Sequence, residues 1–469
     1  RRKMLFSSIP FLYRFLPVVL LLYFAAPRRL KNTVLLCSSL FFYAWGEPKF
    51  LLFMLLSVAL GYVCGLLLGA VSGRTGRRAV LFVCVFACLG LLGFCKYADF
   101  FIGSFNALTG LSVPLLGIAL PIGISFYTFQ VLSYAADVYR GDVPPQKNPI
   151  DFAMYITMFP QLIAGPIVRY REIAPALKER RHSIGLCAAG AQRFLIGLGK
   201  KVILADSLAA LSAAAWGAAA QSILSAWLGA VSFALQIYFD FSGYSDMAIG
   251  LGKLFGFSFS ENFRYPYIAA SITDFWRRWH ISLSAWFRDY LYIPLGGNRV
   301  PRWRWLLNLV IVWGATGFWH GAAWNFILWG LYFAVLLILE KLFLLRVLQK
   351  QKILNHAYVL LAVLLGFVLF DGSSASDGFA KLSALFGGGG LPLWNTESLF
   401  LLRDGAAALL LGALGATPLC AHLWARFSKS RCGARVGFAL QCLFSAAVLI
   451  VCTAYLVSGS YSPFLYFRF

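Results

Sequence analysis

Long apolar runs recur along almost the whole chain, and this repetition restricts the fold more than any other feature of the sequence. A helix needs about 17 to 25 predominantly apolar residues to cross a bilayer. Of the 469 residues, 60% are hydrophobic and 13% are charged, whereas soluble globular chains carry roughly 25% charged residues. A chain of this composition cannot cover itself with a polar surface. We therefore predict an all-α polytopic integral membrane protein.

About eleven or twelve apolar segments are recognisable, each near the length of a membrane span. They lie near Phe11–Ala26, Thr33–Trp45, Phe50–Ser72, Ala79–Cys95, Leu115–Tyr134, Ile184–Ala205, Ser222–Phe239, Leu306–Gly317, Ala322–Phe343, Ala357–Phe370, Leu399–Pro418 and Val436–Ser458. Several are too short for a straight span. We expect those to be tilted, re-entrant or interfacial.

Lysine and arginine gather between the apolar segments and give the chain a formal net charge of +23. Their clusters are "PRRLK" (27–31), "SGRTGRR" (72–78), "KERRH" (178–182) and "KSRCGAR" (429–435). Basic cytoplasmic loops produce this distribution in membrane proteins, so we expect no nucleic-acid surface. If the first cluster is cytoplasmic, the chain crosses twice before the second, with "GEPK" (46–49) outside. The N-terminus is then also outside.

The middle of the chain differs in kind from its flanks. Between Pro145 and Arg304 the apolar segments are short, interrupted by proline and glycine, and interspersed with charge. We expect one membrane domain over residues 1–469, with N-terminal helices at 1–135, a catalytic core at 145–345 and C-terminal helices at 353–469. The ten cysteines lie mostly singly in apolar segments. They predict helix packing rather than a metal site.

The stretch "FPQLIAGPIVRYREI" (159–173) places two prolines and a glycine inside an otherwise membrane-like segment. Proline removes a backbone donor and disfavours a helical residue before it. Irregular backbone at membrane depth is tolerated only where protein buries it or where it lines a wet cavity. We therefore predict a re-entrant wall of a reaction chamber, with Gln161 or Arg169 facing the cavity.

The stretch with the most candidate functional residues is "NFRYPYIAASITDFWRRWHISLSAWFRDYLYIPLGGNR" (262–299). Thr273 is a plausible N-cap of a helix, with Asp274 at its positive end. One face of that helix would carry Trp276, His280, Leu283 and Phe287, and the neighbouring face Arg277, Ile281, Ser284 and Arg288. Arginines beside aromatic residues suit an interfacial helix. The alternative is that Arg277, Arg278 and Arg288 orient a donor's phosphates or lipid headgroups.

A histidine stands in a strongly apolar part of the chain, "TGFWHGAAWNFILWG" (316–330). His320 follows Gly314 and Gly317 and precedes Gly321, and these small residues allow a second helix or a ligand to approach closely. Trp324, four residues further on, is a candidate substrate contact. An intramembrane histidine sometimes only fixes helix packing. Ionisable groups inside membranes are more often functional.

Two histidines restrict the chemistry that the chain can perform. No G-x-S-x-G elbow occurs, and His280 and His320 supply too few ligands for a metal. General acid–base catalysis is the reaction type that remains possible. In it, a neutral imidazole takes a proton from a hydroxyl, and that hydroxyl attacks an activated acyl group. A second polar residue then steadies the developing charge. A transporter for a small polar solute is the rival interpretation, because broken helices and polar residues at the midplane serve it equally well.

Long motifs resemble the membrane-bound O-acyltransferase family, and most closely its bacterial branch that acetylates alginate. They are "FPQLIAGPIVRY", "QIYFDFSGYSDMAIGLGKLFGFSFSENFRYPY", "SITDFWRRWHISLSAWFRDYLYIPLGGNR", "GFWHGAAWNFILWG" and the terminal "SPFLYFRF". The resemblance covers most of the chain and weakens between about residues 347 and 435.

The resemblance implies a ring of tilted helices around a central funnel or tunnel. It identifies His320 as the family's catalytic histidine and His280 as the family's second histidine. It also implies a bacterial cytoplasmic membrane protein that moves an acyl group, most simply acetyl from acetyl-CoA, from a cytoplasmic thioester to a hydroxyl on the other side. No bound cofactor is expected. The expected partners are membrane lipids, the acyl donor, and an extracytoplasmic SGNH-type acyltransferase or a glycan acceptor.

Overall fold

The computed structural model describes residues 4–348 and 351–459, and within these ranges the chain forms helices joined by turns and loops, without β-strands. The terminal motif at 462–469 lies outside the described residues. The α-helices are α1 (Leu16–Ala25), α2 (Lys31–Gly46), α3 (Leu51–Ala70), α4 (Arg74–Thr109), α5 (Ile124–Arg140), α6 (Pro149–Thr157), α7 (Phe159–Leu162), α8 (Tyr170–Lys178), α9 (Ile184–Gly199), α10 (Asp206–Trp216), α11 (Ile223–Leu254), α12 (Ile272–Arg278), α13 (Ile281–Phe287), α14 (Arg302–His320), α15 (Trp324–Leu339), α16 (Leu345–Leu348), α17 (Lys352–Asp371), α18 (Ala375–Leu385), α19 (Thr396–Gly415), α20 (Leu419–Ser428) and α21 (Arg431–Val457). Wider π-helical turns lie at Phe11–Phe15, Lys200–Ala205, Arg288–Tyr292 and Glu340–Leu344, and 3-10 turns at Arg28–Leu30, Pro48–Phe50 and Pro266–Ile268.

Six of the described helices are long and apolar enough to cross a bilayer. They are Pro48–Ala70, Arg74–Thr109, Ile223–Leu254, Ile353–Asp371, Thr396–Gly415 and Arg435–Val457. The prediction of an all-helical polytopic membrane protein is therefore confirmed. The remaining apolar segments form shorter or more polar helices, and the predicted ring around a funnel stays a prediction.

One predicted apolar segment is not a helix over its whole length. Within Leu115–Tyr134, residues up to 123 are not helical, and α5 begins only at Ile124. Gly123 has a φ of +75°, a left-handed conformation that glycine adopts without steric cost. A Cβ at this position would also collide with the carbonyl oxygen of Leu162. The turn before α5 therefore depends on the positive φ and the missing Cβ of Gly123, which an apolar run in the sequence does not predict.

The chain divides into two compact units, and the first comprises residues 4–194 together with Met247–Ser260. Its core contains a cluster of phenylalanines whose rings are tilted or edge-to-face. They include Phe6, Phe11, Phe15, Phe42 and Phe159, with ring centroids 4.9 to 6.4 Å apart. Such aromatic pairs add about 0.5–1.5 kcal/mol each beyond the area that they bury.

The segment at 159–169 in this unit contains the break that its prolines and glycine predict. It has a single four-residue helical turn, α7, and then non-helical backbone up to Tyr170. Residues 158–169 are all buried. Gly165 has a φ of +132° and its Cα lies against Ala248. The absence of a spanning helix here agrees with the prediction, while its role as a chamber wall stays a prediction.

The second unit contains Leu195–Asp246 and residues 261–459, described except at 349–350. Its core is rich in tryptophan and phenylalanine, including Phe275, Trp279, Trp329, Phe333 and Phe367. Helices α14 and α15 pack directly on each other. The Cα atoms of Gly317 and Gly330 face one another in this contact, and a Cβ on Gly317 would collide with the carbonyl of Phe326.

Buried ion pairs connect the π-helical turn Lys200–Ala205 of the second unit to helices α10 and α11. The Lys201 ammonium lies 2.6 Å from Asp240 and 2.8 Å from Asp206, and its side chain is only 3% exposed. Lys200, the preceding residue, pairs with Asp246 at 2.8 Å. A buried ammonium without such partners would cost several kcal/mol. These pairs therefore fix how α11 lies within this unit.

Candidate active site

The helix that was expected to carry His280 is broken at this residue. Helix α12 ends at Arg278, Trp279 is extended, and His280 adopts φ +44° and ψ +54° immediately before α13. The prediction of one continuous helix from Thr273 to Phe287 is therefore wrong. The two faces that helical spacing assigned to Trp276 and Arg277 do not continue past the break. A left-handed residue with a side chain costs roughly 1–2 kcal/mol.

The predicted N-cap is also wrong by two residues. The side chain of Ser271 caps α12 by accepting a hydrogen bond from the backbone N–H of Asp274 at 3.0 Å. Thr273 lies inside the helix, where its N–H and hydroxyl donate to the buried carboxylate of Glu340 at 3.0 and 2.9 Å. Serine and threonine are both good caps. The distant Glu340 decides which of them takes the position.

A neighbouring extended segment holds the break in place. The Arg264 N–H donates to the Arg278 carbonyl at 2.9 Å, and the Ile281 N–H donates to the Asn262 carbonyl at 3.0 Å. The chain at 262–264 thus satisfies backbone groups that the interrupted helix leaves open. Because buried backbone groups without partners are costly, this pairing offsets the unfavourable backbone conformation of His280.

Asn262 also fixes which nitrogen of His280 carries a proton. Its Oδ1 accepts from the Ser282 N–H at 3.2 Å and the Ser282 hydroxyl at 2.9 Å, while its Nδ2 donates to Ser245 at 3.1 Å. A backbone N–H only donates, so the atom facing it is the amide oxygen. The Nδ1 of His280 lies 3.2 Å from the same oxygen and must donate to it. In the neutral ring, Nε2 is therefore the proton acceptor.

That acceptor nitrogen has no protein partner among the described residues. His280 is 1% exposed, and its Nε2 is buried without a hydrogen bond. The ring packs against Phe241, with centroids 4.6 Å apart and the planes nearly perpendicular. Buried polar atoms normally find a partner. An orphaned imidazole nitrogen is accordingly a position where a substrate group can bind.

His320 ends helix α14 inside a box of aromatic rings. Its ring centroid lies 5.0 Å from Trp319, 5.1 Å from Trp329 and 5.4 Å from Phe370, with interplanar angles of 71°, 84° and 85°. Edge-to-face packing of this kind fixes the orientation of a ring. The residue is 8% exposed. The sequence prediction that His320 lies in an apolar surrounding is confirmed by these contacts.

The two histidines belong to the same aromatic cluster. The ring centroid of Trp319 lies near both, 6.3 Å from His280 and 5.0 Å from His320. The structure thus brings together the two imidazoles that the sequence singled out. Two imidazoles in an aromatic surrounding are suited to moving a proton at a substrate hydroxyl. Their catalytic roles stay predictions.

The expected position of Trp324 relative to His320 is wrong. Helix α14 ends at His320, Gly321 is extended, and Trp324 starts the next helix. The four-residue spacing therefore does not place Trp324 one turn above His320. The Phe326 ring lies against the Cα of Gly321, where any Cβ would clash, and the Trp324 side chain is 57% exposed.

The break in the helix separates Arg277 and Arg278 from Arg288, and the three arginines differ in their ion pairs. Arg278 contacts both carboxylate oxygens of Asp274 at 3.0 Å. Arg288 pairs with Asp289 at 2.7 Å while remaining 61% exposed, and this pairing raises the pKa of its guanidinium. Arg277 is exposed. The charges of Arg278 and Arg288 are thus partly neutralised within the protein, and a donor-binding role stays a prediction.

Gln161 and Arg169 lie in the first unit, and both are buried. The Gln161 amide donates to the Tyr155 carbonyl at 2.5 Å, while its Oε1 has no hydrogen bond among the described residues. The Arg169 Nε lies 3.8 Å from Glu172. These contacts give Gln161 a structural role in the break at 159–169. Whether either residue faces the reaction chamber stays a prediction.

Sequence reasoning missed the residues that surround the histidines. Asn262 occurs within a recognised motif, but nothing in its local sequence indicates that it contacts a histidine 18 positions away. Trp329 and Phe370 lie on α15 and α17 and complete the box around His320. Because their neighbours in the sequence are also apolar, the sequence does not indicate that they contact His320. Only the tertiary arrangement distinguishes them from other core aromatics.

Comparison with known proteins gives a consistent picture. The model of the membrane-bound O-acyltransferase family matches residues 145–367. The chain is 43% identical over 416 residues to a probable alginate O-acetylase AlgI of Azotobacter vinelandii, covering 87% of this chain and 83% of the relative. It is 39% identical over 490 residues to a probable alginate O-acetylase AlgI of Pseudomonas putida, covering 99% and 100%.

A relative named for a different acceptor is also similar. The peptidoglycan O-acetyltransferase of Helicobacter pylori is 38% identical over 371 residues, which cover 72% of this chain and 70% of the relative. The match of the family model includes both histidines and Asn262. The similarity therefore extends over the part of the chain that contains the buried aromatic cluster.

Proposed function

Because this chain belongs to the membrane-bound O-acyltransferase family, it is a membrane-embedded O-acyltransferase, and we propose that it transfers an acetyl group from a cytoplasmic thioester to a hydroxyl on the other side of the membrane. The observation that carries the proposal is the pair of buried histidines that both lie near the ring of Trp319. A hydroxyl is a poor nucleophile near neutral pH, and an adjacent imidazole activates it.

His320 is the general base in this mechanism. The acceptor oxygen attacks the thioester carbonyl carbon while His320 takes the hydroxyl proton. The C–S bond then breaks, and the imidazolium returns the proton to the departing thiolate. Exclusion of water by the aromatic box favours transfer over hydrolysis of the thioester. The rings of Trp329 and Phe370 hold the imidazole in one orientation through both steps.

His280 is the second polar residue of the reaction. Its donation to Asn262 leaves Nε2 with a lone pair, and the partial negative charge of this nitrogen stabilises the positive charge that develops on His320. Asn262 is a positioning residue because it acts through His280. A fixed tautomer matters for such chemistry, as the orienting carboxylate of serine-protease triads illustrates.

The acceptor is a polysaccharide hydroxyl or a partner protein that passes the acetyl group to one. The similar proteins are named for alginate and peptidoglycan, so a glycan outside the cytoplasm is the acceptor class that we propose. An SGNH-type acyltransferase fits as the partner that completes the transfer. The bacterial cytoplasmic membrane is the corresponding location, with acetyl-CoA as the donor.

Replacement of His320 by alanine tests the proposal directly. Purified protein in nanodiscs is supplied with radiolabelled acetyl-CoA and an oligosaccharide acceptor, and acetyl transfer is measured. We expect His320→Ala to lower turnover by about 10²–10⁴-fold. Near-normal transfer by this variant would show that His320 is not the base.

Two other histidines provide matched controls. His422 is exposed on α20, so His422→Ala should retain full activity. The Nδ1 of His356 lies 2.9 Å from the Ala269 carbonyl oxygen, so His356→Ala should lower stability more than turnover of the folded fraction. If all three variants lose activity alike, the loss reports a general defect and not base catalysis.

A further inference from the structure

Two basic loops that are distant in the sequence converge on one tyrosine in the first unit. Lys31 follows the turn after α1, and Arg180 and His182 lie between α8 and α9. The Lys31 ammonium lies 4.4 Å from the ring centroid of Tyr23. The Tyr23 hydroxyl lies 3.1 Å from Arg180 Nη1 and 3.2 Å from His182 Nε2. Basic loops on the cytoplasmic side explain the abundance of cations, but not their convergence.

The hydrogen bonds at Tyr23 determine the state of His182. The tyrosine has one proton, which it donates to the Phe255 carbonyl at 2.8 Å. Its oxygen therefore accepts from both Arg180 and His182, so His182 Nε2 carries a proton. The other ring nitrogen, Nδ1, is buried and has no hydrogen bond among the described residues. In the imidazolium form, the ring would add a positive charge that attracts an anion.

The converging cations have no carboxylate ion-pair partner among the described residues. No carboxylate in the described part of the chain lies within ion-pair distance of Arg28, Lys31, Arg180 or His182. Asp151 attracts Arg180 from further away, and its carboxylate accepts from Asn32 at 2.6 Å. The carboxyl end of α11 lies beside the cluster, but a helix terminus contributes only about half a negative charge.

The electrostatics of the cluster agree with its geometry. The pKa of Lys31 is lowered, first by burial and then by the positive charges of Arg180 and Arg28. The pKa of His182 is lowered by burial and then by Lys31, Arg180 and Arg28. Each cation thus disfavours the charge on its neighbours. A bound anion would remove this mutual repulsion.

We propose that Arg28, Lys31, Arg180 and His182 form a binding site for a phosphate group, with Tyr23 as its floor. The two sources of such a group are the phosphates of a coenzyme-A-type donor and the headgroup of an anionic lipid. The donor form rests on the proposed function and on the cytoplasmic position that the basic loops predict. Arginine, lysine and imidazolium are the side chains that bind phosphate through charge-assisted hydrogen bonds.

A binding measurement without turnover tests the site. Protein in phosphatidylcholine nanodiscs is titrated with coenzyme A, which has no acyl group to transfer. Arg28→Gln, Lys31→Gln and Arg180→Gln should each weaken binding by about tenfold, because each removes one charged hydrogen-bond donor. Arg181→Gln is the matched control, since Arg181 is an exposed neighbour outside the cluster. Binding by this variant should be unchanged.

A second measurement, of bound lipid, distinguishes the two sources of phosphate. The same variants are purified from membranes that contain phosphatidylglycerol, and the lipid retained per protein is measured by mass spectrometry. Loss of coenzyme A binding assigns the site to the donor, and loss of retained phosphatidylglycerol alone assigns it to lipid. If all variants resemble Arg181→Gln in both arms, the site does not exist. Arg180 also supports Tyr23, so Arg28→Gln and Lys31→Gln decide the result if Arg180→Gln does not fold.

A pH series examines His182 separately. An anion at the site would raise the pKa of His182, so binding should tighten as the pH falls from about 8 to about 5.5. The ligand phosphate also gains a proton in this range, and the comparison is therefore between wild type and His182→Gln. An unchanged pH dependence in His182→Gln would remove His182 from the site. Coenzyme A binding by His320→Ala keeps this test independent of acetyl transfer, so either proposal can fail alone.

Discussion

His280 combines complete burial with a left-handed backbone, and each of these features is unfavourable for a histidine. The residue is 1% exposed, and its φ is +44°. Asn262 compensates for both, because its side-chain oxygen faces the ring nitrogen and its carbonyl accepts from the next residue, Ile281. A conformation that costs free energy at a buried polar residue is a mark of a functional position.

Substitutions at His280 separate its chemistry from its backbone conformation. His280→Gly and His280→Ala both remove the imidazole, so both should lose turnover. Glycine adopts a positive φ without steric cost, and His280→Gly should therefore be more stable than His280→Ala by about 1 kcal/mol. Unfolding in mild detergent, followed by a thiol-reactive dye, measures the difference. Alanine as stable as glycine would mean that the left-handed conformation is absent in solution.

Two substitutions at Asn262 examine its role in positioning His280. Asn262→Leu keeps the approximate shape but removes the acceptor for His280 and Ser282, and turnover should fall by about 10–100-fold. Asn262→Asp keeps an acceptor for the same three donors and should recover most of that loss. The KM for the donor should not change in either variant. Equal defects in both variants, with lowered stability, would indicate a merely structural asparagine.

The residues that the sequence identified are those whose chemistry contrasts with their surroundings. His320 and His280 stand out because they are polar within apolar or aromatic stretches. Asn262 does not, since asparagine is ordinary in a loop before a Pro-containing turn. The orienting contact spans 18 residues and depends on the break at His280. Neither helical periodicity nor the cap preferences of Ser271 and Thr273 encode that break.

At the scale of elements, the same reasoning explains one correct prediction and one error. The break at 159–169 is encoded locally, because Pro160 is tolerated only in the first turn of α7, Gly165 adopts a positive φ and Pro166 cannot continue a helix. The break between α12 and α13 contains no proline or glycine. It is imposed by the pairing of 262–264 with 278–281, a tertiary effect that overrides local propensity.

The close packing of α14 on α15 gives an element-scale prediction with an internal control. A Cβ on Gly317 would collide with the Phe326 carbonyl, whereas one on Gly314 would meet nothing within 4 Å. Gly317→Ala should destabilise the protein by about 1–3 kcal/mol through overpacking. It should also lower acetyl transfer, because His320 ends the displaced helix. Gly314→Ala should be neutral or slightly stabilising, since alanine favours helix.

Thermal unfolding and turnover of the two glycine variants are measured in parallel. A pair of equal melting temperatures would contradict the close contact between α14 and α15. If Gly317→Ala lowered stability but left turnover intact, the helix would move without displacing His320. The first outcome concerns the packing and the second concerns its connection to the site.

The predicted chamber wall at 159–169 is tested by its access to water. Single cysteines at 161–165 are treated with a water-soluble thiol reagent, with and without donor. Because these positions are buried, reaction from one side that the donor suppresses would indicate a wet chamber. Complete protection under both conditions would leave the segment as sealed protein interior and refute the proposed wall.

At the scale of the whole molecule, composition determines the class of protein but not the number of crossings. Six described helices meet the length and hydropathy of a span. Helix α2 has 16 residues and extends about 24 Å, less than the roughly 30 Å hydrocarbon core. Such a helix crosses only where the bilayer is locally thin or where its ends are polar. Length alone therefore does not decide the topology, and the distribution of charge must.

The orientation of the N-terminal part follows from the charge distribution and is directly measurable. Arg29 and Arg181 lie in basic loops that converge near Tyr23, while Lys49 lies in the turn between α2 and α3; all three are exposed. Positive-inside sorting predicts Arg29→Cys and Arg181→Cys to be cytoplasmic and Lys49→Cys to be outside. The background carries alanine in place of the exposed or half-exposed Cys37, Cys187, Cys420, Cys432 and Cys442, whereas the buried cysteines are retained. In intact cells, a membrane-impermeant maleimide should label only position 49, and permeabilised cells should label all three. Labelling of positions 29 and 181 in intact cells would invert the topology and place the phosphate site on the side opposite the thioester donor.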